Sequence, residues 1–154
     1  KVQVVFNPAR VGNYKLIGFE KHRLKKEDFK NDSVDAAEMA SEESGVALYQ
    51  FEVLPEGEGE VGEVSVRFRD VASGEMVERT WTIPYEESAP AFDQANESLQ
   101  LAGLAAFLAE KLRNAPMADA VELGDLSPVM NKVASHYKES SRIQELKQMF
   151  EALR

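Results

Sequence analysis

The residues able to do chemistry in this chain are few and poorly placed for it. Nucleophilic catalysis needs a Ser or Cys beside a His that an acid orients. The chain has no Cys and two His, His22 and His136. His22 lies among Lys21, Arg23, Lys25 and Lys26, a neighbourhood that favours neutral imidazole. His136 precedes Tyr137 near an expected helix end, where a cation meets the negative terminus. Both have a structural explanation, and two scattered His without Cys do not make a transition-metal site. A phosphate-cradling loop needs glycines between a strand and a helix. The dense glycines Gly57, Gly59 and Gly62 are instead interleaved with Glu56, Glu58, Glu60 and Glu63, which repel phosphate. That segment reads as a solvated loop. The chain is therefore expected to be no enzyme and to need no cofactor.

One oxygen-rich cluster remains: Asp28, Asn31, Asp32, Asp35 and Glu38. Hard cations such as calcium take several such ligands from one loop. The spacing has neither the alternation nor the central Gly of an EF-hand. Capping by Asp32 or Ser33, with the rest at the surface, is the default, and a calcium or hydrolytic site is the alternative. The basic residues Lys21, Arg23, Lys25 and Lys26 form a second cluster, an exposed turn or a surface for an anionic partner.

These clusters must be held by strands in the first half and helices in the second. Val2, Val4 and Phe6 alternate before Pro8, and Tyr14 to Phe19 form a second strand. In 47–54, Tyr49, Phe51 and Val53 mark the expected core face. Val64, Val66 and Phe68 alternate with Ser65, Arg67 and Arg69, and after the Ala72–Glu75 turn 76–83 returns as a hairpin. Tyr14, Phe19, Tyr49, Trp81 and Tyr85 are expected to fill a core. The polar loop 20–46 joins the second and third strands and is long for a compact domain. From Phe92 to Leu112 the pattern predicts a helix apolar nearly all round, buried on several sides, with Phe107 in the core and a cap at Ser88 or Ala89. Ser127-Pro128 reads as a second helix start, and Ser141 with Gln144 as a capping box for a third.

The expected fold class is thus α+β: an antiparallel β-sandwich-like sheet of about five strands in 1–87, then a three-helix segment in 88–154 packed on it, as one compact domain or two closely packed subdomains.

Charge narrows the partners. With 18 Lys and Arg against 27 Asp and Glu, the net charge of −9 disfavours nucleic acid. Residues 31–97 carry 3 basic and 17 acidic residues, more than the whole net charge, which reads as a solvated acidic face. No apolar run is long enough to insert in a membrane. The chain starts at Lys1, not Met, so it is expected to be a piece of a longer polypeptide.

Several uncommon strings occur in order: Phe6-Asn7-Pro8, Tyr14 to Glu20, Asp28-Phe29, Asn31-Asp32, Asp35-Ala36 with Glu38, and Ala47-Leu48-Tyr49. In them the chain resembles the C-terminal domain of bacterial proteins built around a von Willebrand factor type A domain, the YfbK-like group. The motifs cover about the first third. Where that group tends to have Gly-Ala-Gly-His, this chain has Ala40-Ser41-Glu42-Glu43. The resemblance implies an accessory domain without an assigned activity. Its partners would be the upstream type A domain of the same polypeptide and an unidentified protein. It weakly favours the bacterial cell envelope as location.

Overall fold

A computed structural model describes residues 1–18, 24–36, 44–115 and 122–153. The chain divides into two compact units, Lys1–Glu87 and Ser88–Arg154. Five strands precede three helices, an α+β order with antiparallel sheets of three and two strands.

The first unit begins with β1 (Val2–Phe6), which pairs antiparallel with β4 (Gly62–Arg69). The other side of β4 carries β5 (Met76–Ile83), so the three-stranded sheet has the order β1-β4-β5. The second sheet pairs β2 (Val11–Ile17) with β3 (Leu48–Val53). β2 starts earlier than its hydropathy suggests, because a register shift between Val11 and Tyr14 absorbs the polar Gly12-Asn13. The β4–β5 turn is closed by Asp70, whose Oδ1 accepts from Ser73 N at 2.8 Å and Ser73 Oγ at 2.9 Å. Gly74 completes the turn at φ 73°, a conformation open to Gly without strain.

Phe6 joins the two sheets. Its ring centroid lies 4.6 Å from Tyr14 and 5.4 Å from both Tyr49 and Phe51. The expected core parity of β3 thus does face an aromatic cluster, but Phe51 and Val53 stay partly wet.

In the second unit, α1 (Glu97–Leu112), α2 (Leu123–His136) and α3 (Ser141–Ala152) close around Leu104, Leu108, Met130, Val133 and Phe150. Several sequence expectations need correction here. Residues Phe92–Gln94 form a separate 3-10 turn, and the cap of α1 is Asn96, whose Oδ1 accepts from Leu99 N at 2.8 Å. Asn96 wins over Ser88 and Ala89 because its side chain reaches a first-turn amide. α1 is not buried all round, since Leu99 and Leu112 are exposed and Phe107 is only half-buried. Phe107 instead meets Phe92 edge to face at 6.2 Å, and Phe92 lies over Gly103, where a Cβ would stand 2.6 Å from the ring. α2 starts at Leu123, four residues before Ser127, and carries Pro128 inside it. The capping box of α3 does not form: Ser140 is the cap residue, and Gln144 Nε2 donates back to Ala134 O at 2.9 Å. A Gln that ties α3 to α2 serves a buried carbonyl better than one facing its own helix start.

Candidate functional site

Several described members of the oxygen-rich cluster make contacts within the protein. Lys26–Lys30 is a 3-10 turn with Phe29 buried beneath it. Asp32 takes a forked contact from Arg67, with Nη2 at 2.9 and 3.1 Å from its two oxygens and Nε at 3.1 Å. Arg67 also reaches Glu78 at 3.3 Å, and these contacts, Asp32 first, raise its pKa above the ordinary value. The backbone carbonyls of Asp28 and Asn31 accept from Lys1 Nζ, the first at 3.0 Å. Asn31 Oδ1 accepts from Ser33 N, and Asp35 Oδ1 from Ala36 N, both at 3.0 Å. Two cationic side chains of the protein thus sit where a metal would compete. Among the described residues no three His, Cys, Asp or Glu side chains converge as a metal site needs. Glu38 lies outside the described residues, as do Lys21, His22 and Arg23. Lys25 and Lys26 are exposed at the start of the 3-10 turn.

The acidic loop between β3 and β4 is more ordered in its contacts than its composition suggests. Asn7 Nδ2 donates to the carbonyls of Glu58 and Glu60, each at 2.9 Å, while its Oδ1 accepts from Ala9 N at 3.0 Å. Arg10, 8% exposed, donates from Nε to Gly59 O at 3.1 Å and from Nη1 to Leu54 O at 3.3 Å. Its guanidinium lies 3.9 Å from the centre of the Tyr85 ring. Gly57 lies so close to the Ala9 carbonyl that a Cβ there would stand 2.4 Å from it. The loop is solvated as its four Glu imply, with Glu56, Glu58, Glu60 and Glu63 exposed, and its main chain is held by Asn7 and Arg10, which bracket Pro8 just after β1. At this joint the donors of Asn7 and Arg10 are directed at main-chain carbonyls of the loop.

The remaining feature is a sheet face. By strand alternation and the observed register, Val2, Val4, Val64, Val66, Phe68, Val77 and Trp81 share one side of β1-β4-β5. None of them is fully buried, and Val2 is 60%, Trp81 50% and Phe68 41% exposed. Trp81 was expected in the core; its neighbours across the sheet do not cover it. Arg79 stands on the same face beside Trp81 and makes no hydrogen bond or ion pair with the described residues. The opposite face is polar, with Ser65 and Thr80 hydroxyls 2.8 Å apart and the Arg67 network.

Among the described residues the first unit thus offers one partly exposed apolar sheet face and no convergent His, Cys, Asp or Glu cluster. Comparison with known proteins gives a family for part of the chain. Residues 1–60 match the family described as "Uncharacterized protein YfbK, C-terminal", so this stretch is similar to YfbK-like C-terminal domains. Over 50 residues, 32% of the chain, it is 42% identical to Uncharacterized protein YfbK of Escherichia coli (strain K12). The matched stretch is 9% of that relative's length. No solved structure matches the chain.

Proposed function

We propose that this chain is a non-enzymatic interaction domain whose apolar β1-β4-β5 face docks onto a folded neighbour in the intact polypeptide. The von Willebrand factor type A domain implied by the resemblance is the neighbour assigned here. The observation that carries this reading is the face itself: Val2, Phe68 and Trp81 are exposed along one side of the sheet, joined by the partly exposed Val64 and Val66. A contiguous patch of this kind is uncommon on a protein without a partner. The resemblance supports a partner within the same polypeptide.

The test is amide hydrogen exchange on the intact polypeptide against the chain alone. Docking is expected to slow exchange in β1 and β5, and Phe68→Glu is expected to restore the faster rates. Equal exchange in both forms would refute the reading. The cation alternative has its own test, terbium luminescence. With Asp32 held by Arg67, and with the Asp28 and Asn31 carbonyls held by Lys1, no saturable binding is expected. Saturation that Asp32→Ala removes would favour the cation site instead.

A further inference from the structure

We infer that the free edge of β5 pairs with the β5 edge of a second copy of this chain, antiparallel, about a two-fold axis through Thr80. Among the described residues β5 is hydrogen-bonded on one side only, to β4 and to Val61 just before it. An eight-residue strand with one side unpaired presents a row of donors and acceptors that another strand satisfies. A two-fold axis normal to the sheet keeps each face on its own side, so residues of like parity meet across it.

The sequence of β5 selects among the registers this allows. Centred on Thr80, Val77 meets Ile83, Glu78 meets Thr82, Arg79 meets Trp81, and Thr80 meets its own copy. These are an apolar pair, a carboxylate–hydroxyl pair, a cation over an indole, and a hydroxyl pair, each favourable across strands. Centring on Arg79 sets Arg against Arg, and centring on Glu78 sets Glu against Glu. Centring on Trp81 sets Arg79 against Ile83 and Glu78 against Pro84, where the ladder ends. Of these registers the Thr80 one sets the Arg79 cation against half-exposed Trp81; within their own sheet Arg79 lies opposite Val66 and Trp81 opposite Val64, neither of which offers a cation–ring contact. The occupant is thus a second copy, because the strand's pattern is complementary to itself. The inference goes beyond the docking face: it uses the edge of the sheet, takes up Trp81 at that edge, and leaves Val2, Val66 and Phe68 on the flat of the sheet for a neighbour.

The absence of Cys makes the test direct. The 154-residue chain is followed by sedimentation velocity over a concentration series, and a monomer–dimer equilibrium is expected. Thr80→Lys places two ammonium groups on the axis and is expected to weaken the dimer by about tenfold or more. Thr80→Cys brings two thiols within bridging distance and is expected to form an oxidised dimer far faster than Thr82→Cys, which lies off the axis. Circular dichroism confirms that each variant stays folded. Phe68→Glu, on the central strand, is expected to leave the dimer intact. A chain that stays monomeric throughout, a dimer indifferent to Thr80→Lys, a dimer lost with Phe68→Glu, or equal cross-linking at positions 80 and 82 would each overturn the inference.

Discussion

Asn7 and Arg10 show how two side chains organise the main chain of a solvated acidic loop. Each aims donors at carbonyls of 54–60 that the strands leave unpaired. Removing the Asn7 amide leaves these carbonyls to water, so Asn7→Ala should cost about 1–2 kcal/mol in urea unfolding. Arg10→Lys should cost about 2–3 kcal/mol, because an ammonium cannot span both carbonyls while stacking on Tyr85. If Arg10→Lys left the midpoint unchanged, the fork would have no structural weight. Asp70 offers a pH test. The Ser73 backbone amide, then its hydroxyl, holds the Asp70 carboxylate below its ordinary pKa. A depressed folded pKa stabilises the native state above the unfolded value, and that stability disappears as pH falls through the folded one. The melting temperature of the wild type should therefore exceed that of Asp70→Ala near neutrality. The gap should shrink as pH drops below about 4.

At the scale of elements, α1 separates hydropathy from burial. Its apolar residues go nearly round the helix, yet Leu104 and Leu108 are buried while Leu99 and Leu112 are wet. Leu104→Ala should therefore cost about 2–5 kcal/mol, by lost transfer energy plus a cavity. Phe107→Asp should cost clearly less than Leu104→Asp, because Phe107 borders solvent and contributes chiefly an edge contact with Phe92. Equal losses in thermal denaturation would place Phe107 in the core after all. Glu97, the first residue of α1, has its pKa lowered by its own backbone amide first and then by Lys132. It adds to the same acid-side loss of stability as Asp70.

At the scale of the molecule, the wet sheet face and the acidic charge are two parts of one design. A net charge of −9 keeps copies apart in general, while an apolar face and a self-complementary edge allow particular contacts. An environment-sensitive hydrophobic dye should brighten on the chain. The double variant Trp81→Thr and Phe68→Thr should lose most of that signal with little change in melting temperature, since these side chains are already half in water. A large drop in stability would mean that the face is covered within the chain.

The alternation of 64–69 and 76–83, with turn residues between, was enough to place the hairpin, because a period of two and a turn are local properties. The three helices were legible for the same reason, though their starts were not. Asn96 holds its place because its side chain reaches the Leu99 amide, whereas Glu122 and Ser140 begin their helices without a side-chain cap bond that a sequence pattern could have signalled. The Phe6-Asn7-Pro8 string marked the family without revealing that Asn7 holds the acidic loop. The oxygen-rich cluster was visible, but the cations that occupy it, Lys1 and Arg67, come from residues distant in sequence. Hydropathy likewise named Val2, Phe68 and Trp81 as apolar without saying that nothing in their own sheet covers them. Periodicity and turn chemistry act between neighbours and can be read along a line. Which donor meets which carbonyl, and which apolar face stays wet, depends on contacts that only the folded chain makes.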